Sequence, residues 1–417
     1  MNLLGAAALV ITPGGLALAE AEVSPSTERG LVLEVCRGGP DAAVAAAQRA
    51  QGQAAIVEAA VLPNPSLWAE RQQSLTGLDE RQTIVALNVP VGISGRYFLR
   101  RDAAEAKDRQ EQAEAEVQLF EAALRARAAY ADAVLARAKV AVLTKQQAAL
   151  ERLTQVIEGL TKGGELSRYD LLRQELEADL HRRRLLLAEA QAEAAELRLA
   201  RWTSAPLPLA IDPLELAQGA EGGDAAALIA QHPQRRSLEA AVELGALELR
   251  AAERRWVPDL EVLAGYREVG AGQETGHGLS VSLMVPLTFF DHGQGEVAQA
   301  EAQRLLAEAE AGRFQRQSVA ELRAAAAQLH RLQAYREQFN EGGALRLQDE
   351  ATQLYAAGEA NITQLLEAYQ AAEALLLSRL EFAAELAQVR LARMHLAGSF
   401  FDPELDQACL TPDRGSP

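Results

Sequence analysis

The chain has 417 residues, a formal net charge of −17 from 58 acidic and 41 basic side chains, 5% aromatics and only two cysteines, Cys36 and Cys409. The acidic balance excludes a nucleic-acid partner, because binding phosphates requires clustered cations that release counterions. Neither cysteine sits in a C-x-x-C or other metal spacing, so zinc-ribbon and catalytic-thiol chemistry are excluded as well.

In chain order, Leu3 to Ala19 carries no charge and ends in Ala17-Leu18-Ala19 before Glu20, which predicts a cleaved leader over residues 1-19. Two features depart from the leader pattern: the first basic residue is Arg29, and Pro13-Gly14-Gly15 interrupts the apolar stretch. Cys36 follows Leu33-Glu34-Val35, and the charge there makes a poor lipid-attachment signal. Beyond the leader, the longest run without Asp, Glu, Lys or Arg is Thr275 to Phe290, too short and too proline-interrupted for a transmembrane helix. The remaining way to span a bilayer is a closed β-barrel, whose signal per strand is weak and alternating.

From Pro65 onward the chain says nearly the same thing twice. Pro65-Ser66-Leu67 returns as Pro258-Asp259-Leu260, Asn88-Val89-Pro90-Val91 as Met284-Val285-Pro286-Leu287, and Gly164-Glu165 as Gly358-Glu359. The first repeat spans 20-202, with strands predicted at about 65-75 and 82-91 and helices at about 96-159 and 165-202. A linker follows at 203-224. The second repeat spans 225-397, with strands at about 258-269 and 277-289 and helices at about 293-357 and 360-396, before an irregular tail over 398-417. Thr83 to Val89 is rich in β-formers. Leu279 to Val285 alternates strictly, which predicts Leu279, Val281, Leu283 and Val285 on one face and Ser280, Ser282 and Met284 on the other. Trp68, Tyr97, Phe98, Trp256, Phe289 and Phe290 gather where the strands meet the helices. An interfacial aromatic girdle predicts that placement, and so does plugging of a sheet–helix junction.

Arg96 to Gly159 contains no proline and only that final glycine, and its Ala-rich pattern has Leu, Val and Tyr at helical spacing. Roughly 60 helical residues reach about 90 Å, far beyond a globular domain. The linker and the tail leave the helices at comparable heights, which predicts a collar midway along a tube. Cys36 and Cys409 belong to segments that meet there, and in an oxidising compartment the two can pair.

These residues together resemble the outer membrane factor family, the TolC-like channels of tripartite efflux pumps and type I secretion. The carriers are Leu62-Pro63-Asn64-Pro65-Ser66-Leu67, the junction Val285 to Gly295, and the turns around Gly164-Glu165 and Gly358-Glu359. The junction, with Gly95-Arg96 and Arg100-Arg101, is similar to the outer membrane subunits of cobalt-zinc-cadmium efflux systems; Ser94-Gly95-Arg96-Tyr97 stands where that branch shows a Gly-Gly-Lys-Arg-like stretch. The resemblance implies a mainly α chain with a small β part, forming a TolC-like trimeric channel. Its 12-stranded outer membrane β-barrel takes four strands from each chain and continues as a long periplasmic α-helical barrel. It implies a homotrimer in outer membrane lipid, a periplasmic adaptor and an inner membrane RND-type transporter as partners, no cofactor and no catalysis. The adaptor would meet the tips at Gly164, Glu165, Gly358 and Glu359.

The family's channels often close through paired acids on the inner helix after the second turn. Here the matching positions are Gln364 and Glu367, with Asp170 and Arg173 in the first repeat. A ring of Glu367 with cross-contacts from Arg173 is the gate this implies; ordinary helix-surface charge is the plain alternative. The six histidines, His181, His232, His277, His292, His330 and His395, form no i, i+4 pair and have no acidic companion at ligand spacing, so no metal site is expected. Heavy-metal cations passing through, a duct for drugs or secreted proteins, and a coiled-coil scaffold without a barrel remain the competing functions.

Overall fold

The computed structural model describes residues 27–76, 80–203, 206–217, 224–336 and 342–410; the expected leader lies outside the described residues. In order, the elements are α1 (Glu28–Arg37), α2 (Pro40–Ala60), β1 (Ser66–Gln73), β2 (Glu80–Val91), α3 (Arg96–Lys162) and α4 (Arg168–Leu199). The second part contains α5 (Ala225–Gln231), α6 (Pro233–Glu253), β3 (Leu260–Ala271), β4 (Glu274–Met284), α7 (Gln294–Arg336), α8 (Gly342–Ala356), α9 (Ile362–Ala397) and α10 (Pro403–Leu410). No described helix is long and apolar enough to cross a membrane.

Each repeat makes three helical passes and not two. A half-length helix (α2, α6) enters the hairpin, a long helix leaves it, and a return helix (α4, α9) comes back from the far end. α2 packs along one part of α3 and α4 along another, while α6 lies against both α3 and α7. Ten alanines in α2 blur its helical period, whereas α6 carried a usable signal: Pro233 at its first turn, then Leu238, Val242 and Leu249. A second trace of the duplication is Gly52 matched with Gly245. A Cβ would lie 3.1 Å from the Asp108 Cα at the first and 3.0 Å from the Arg304 Cα at the second, so both mark a close helix crossing.

The strands form one antiparallel sheet in the order β1-β2-β3-β4, and β2 and β3 join the two repeats along their whole length, from Glu80 opposite Ala271 to Val91 opposite Leu260. β4 stops at Met284, so Val285 to Phe289 of the predicted 277-289 strand lie outside it; Pro286 has no N–H to continue the ladder.

The collar is the main core. Leu31, Val32, Val35 and Cys36 of α1 pack with Leu119, Phe120, Tyr130 and Val134 of α3 and with Phe400, Leu405 and Cys409 of the C-terminal segment. Linker residues Leu207, Leu209, Ile211 and Leu216 join them, and the Tyr130 hydroxyl donates to the Pro208 carbonyl at 2.8 Å. Cys36 and Cys409 form a disulfide with their Cα atoms 5.1 Å apart, tying the first helix to the last. The tail expected to be irregular therefore contains α10, held because its apolar residues complete this core.

Candidate functional site: strand faces, rim and hairpin tips

Directly paired residues in an antiparallel sheet share a face, so the register assigns both surfaces. One face presents Leu67 and Ala69; Val85, Leu87, Val89 and Val91; Leu260, Val262, Ala264 and Tyr266; and Leu279, Val281 and Leu283. No charge interrupts this band. Arg71, Arg81 and Glu268 on the same face fall beyond it, toward the hairpin turns. The opposite face carries Glu70, Gln72, Asn88, Glu261, Arg267, Ser280 and Ser282, and Asn88 donates to the Glu261 carboxylate at 3.0 Å. Two-faced sheets of this kind separate an apolar medium from water. Among the described residues, the outer edges of β1 and β4 pair with no strand.

Five of the six junction aromatics bracket the strand ends at Val91, Leu260 and Met284. Phe98, Trp256, Phe289 and Phe290 are exposed; Tyr97 donates to the Ala60 carbonyl at 3.1 Å and stacks edge-on against Phe98. Trp68 corrects the expected girdle. It lies within β1 on the face of Glu70 and Gln72, opposite the apolar band, because alternation places it out of phase with Leu67 and Ala69.

At the far end the two hairpin tips share one design. The Gly164 N–H bonds the Thr161 carbonyl (3.1 Å) and the Glu165 N–H bonds the Leu160 carbonyl (2.9 Å); Gly358 to Tyr355 (3.0 Å) and Glu359 to Leu354 (2.9 Å) repeat the pattern. Both glycines sit in the left-handed region, with φ of +78° and +75°, which only glycine adopts without strain. The return helices then open with reciprocal caps, Ser167 with Asp170 in α4 and Asn361 with Gln364 in α9. Between the tips runs a groove of 870 Å³ whose apolar lining includes Leu153, Val156, Leu160, Tyr355 and Ile362.

The candidate gate residues do not converge on one another within the protomer. Asp170 and Gln364 are engaged in the caps just described; Arg173 donates to the Thr363 hydroxyl at 2.8 Å and forms no ion pair with Glu367, which is exposed on α9. What the structure does bring together is a polar seam between α4 and α9. Its ties are Arg173 with Thr363, Glu177 with Gln370 (3.0 Å), and His181 and Arg184 with Glu373 (3.4 Å each). His181 is 1% exposed and Glu373 6%. Burial holds the His181 imidazole below its usual range; the Glu373 charge opposes this, and the Arg184 charge reinforces it. Sequence reading missed this pair because the acidic partner stands in the other repeat. No group of three or more His, Cys, Asp or Glu among the described residues is placed to hold a metal ion.

No protein-family model matches the chain, and no curated protein matches it by sequence. Solved structures do. The chain is similar to CusC, studied for the conformational changes that accompany transmembrane channel formation, with a TM-score of 0.73 at 14% identity over 89% of this chain and 92% of that one. The outer membrane protein VceC of Vibrio cholerae gives 0.71 at 16% identity over 90% and 97%, and the CmeC outer membrane channel of Campylobacter jejuni 0.73 at 13% over 92% and 89%. The fold is therefore that of the TolC-like channels, mostly helical with a small four-stranded sheet.

Proposed function

We propose that the chain is one protomer of a homotrimeric outer membrane duct that extends into the periplasm and gives passive exit to cargo delivered by an inner membrane RND-type transporter through a periplasmic adaptor. The observation that carries this reading is the open four-stranded sheet with an uninterrupted apolar face. Four strands cannot close a barrel, and unpaired edges beside an exposed apolar surface invite aggregation unless identical sheets complete the ring. Three copies supply twelve strands around an axis. The tube calls for the same neighbours: Leu172, Leu176, Leu180 and Leu187 form an exposed stripe along α4 at helical spacing that only another helix can bury. The disulfide supports an exported location, since such bonds persist in oxidising compartments.

The tips at Gly164, Glu165, Gly358 and Glu359, with the apolar groove between them, are the adaptor-docking surface in this reading. Heavy-metal cations are the favoured cargo, supported by the branch-like junction at Gly95-Arg96 and Val285 to Gly295. The test combines location with face. Wild type is expected in the outer membrane as a cross-linkable trimer. Val281→Arg should cost roughly 2–4 kcal/mol and block insertion, while Ser282→Arg should leave assembly intact. Equal defects at both positions, or a soluble monomer, would refute the duct. Gly358→Trp should abolish resistance to cobalt, zinc and cadmium without loss of the trimer.

A further inference from the structure

The apolar band of the sheet ends at the level of Ala69, Val85, Tyr266 and Leu279, and the rows beyond it, toward the hairpin turns, sort their charges by face. Arg71 and Arg81 stand on the band's own face with Glu268 and His277. The opposite face of the same stretch carries Glu70, Glu80 and Glu274 with Arg267. Cations therefore prevail outside and acids inside. We propose that Arg71 and Arg81 form a clamp for the phosphate groups of an outer-leaflet glycolipid. The inference rests on the duct reading, because that reading makes the banded face the lipid face and puts the hairpin turns on the outer side of the membrane.

The two arginines are diagonal neighbours: Arg71 lies opposite Thr83, and Arg81 is two residues away from Thr83 on β2. Such positions are about 7–8 Å apart, so two long side chains can reach one phosphate between them. The Arg81 side chain lies across β3 where Gly270 leaves the backbone bare; a Cβ there would be 2.7 Å from its Nε and 3.0 Å from its Cγ. Both arginines are exposed, and among the described residues neither has an ion pair. Their N–H forks, which match phosphate oxygens, thus stand uncommitted beside a band that suits acyl chains.

Tyr266 closes the band with its ring stacked on that of His277, centroids 5.7 Å apart, and its hydroxyl bonded to the His277 Nδ1. With that hydroxyl donating, the ring proton is on Nε2, a further donor at headgroup depth. Glu268, diagonal to Arg81, opposes an anion at this place. Two guanidinium groups match a phosphomonoester, which carries close to two charges near neutral pH, better than the single charge of a phosphodiester headgroup. The occupant is therefore a phosphorylated glycolipid and not an ordinary phospholipid.

The test uses the full-length trimer, stripped of lipid in a neutral detergent and titrated with bisphosphorylated lipid A by native mass spectrometry. Wild type should bind it on the order of thirtyfold more tightly than dephosphorylated lipid A, the attraction of two arginines at a membrane surface, and also more tightly than phosphatidylglycerol. Arg71→Gln combined with Arg81→Gln should lose that preference, while trimer yield and conductance in planar bilayers stay at wild-type values. Arg267→Gln, at a similar height on the other face, should leave lipid binding unchanged, and Glu268→Gln should strengthen it. The comparison of phosphorylated with dephosphorylated lipid A on wild type decides the matter even if a variant fails to assemble. Equal binding of the two, phosphatidylglycerol binding as tight as lipid A, or a double variant that keeps the preference would overturn the clamp. An equal loss in Arg267→Gln would do the same. A trimer that prefers phosphorylated lipid A but never conducts would count against the duct and still support the lipid-facing clamp.

Discussion

Around Phe120 the chain buries Leu31, Val35, Leu119, Val134 and Leu405 against one another and closes the cluster with a disulfide, whereas further along α3 the neighbouring return helices meet through arginine, glutamine, histidine and glutamate side chains. The collar is assembled from α1, the linker and α10 packed on α3. The seam joins α4 and α9, which are repeat equivalents. Apolar cores are close-packed and resist rearrangement, while polar ties at a helix surface exchange for water at little net cost. The duplicated hairpins are thus clamped by a large apolar core at the collar, while toward the tips a smaller apolar cluster around Ile157, Ile362 and Leu365 is supplemented by the polar ties of the seam.

The largest expected effect tests the clamp. Phe120 is 2% exposed and its ring lies 4.8 Å from that of Phe400, so Phe120→Ala should destabilise by about 3–5 kcal/mol, read as a shift of the denaturation midpoint. Replacing both cysteines by alanine should remove about 2–5 kcal/mol, and proteolysis of the reduced or substituted protein should cut first within α1 or α10.

A pH effect at the collar's edge comes next. The His232 Nδ1 accepts from the Gln234 N–H at 3.0 Å to cap α6, and Nε2 donates to the His395 carbonyl at 3.0 Å, so the neutral ring is fixed by two backbone groups. Burial pushes its pKa down from 6.5 to about 4. The folded protein then binds fewer protons than the unfolded chain across that window. The contribution is complete above pH 6.5 and is lost as pH falls toward about 4, amounting to about 3 kcal/mol. His232→Asn retains an acceptor for the cap and should flatten the melting temperature across that range.

The smallest effect belongs to the seam. Arg173→Ala should change global stability by less than about 1 kcal/mol, because a single partly exposed tie exchanges for water. If denaturation showed a loss comparable to Phe120→Ala, the contrast between clamp and seam would fail.

Local pattern made much of this molecule legible. The duplication, the opposed faces of Val281 and Ser282, the long helix from Arg96 and the positive-φ glycines at both tips each depend on residues close in sequence, where strand alternation, helical period and backbone freedom act directly. Trp68 was readable by the same alternation, as was α6 from Pro233 and its leucines. Tertiary structure alone decided the rest. α10 becomes a helix where the collar buries its apolar residues, Asp170 and Gln364 act as helix caps, and His181 meets Glu373 from the other repeat. No short-range spacing encodes such pairs, because the free energy that selects them comes from desolvation and packing that exist only once distant helices are side by side.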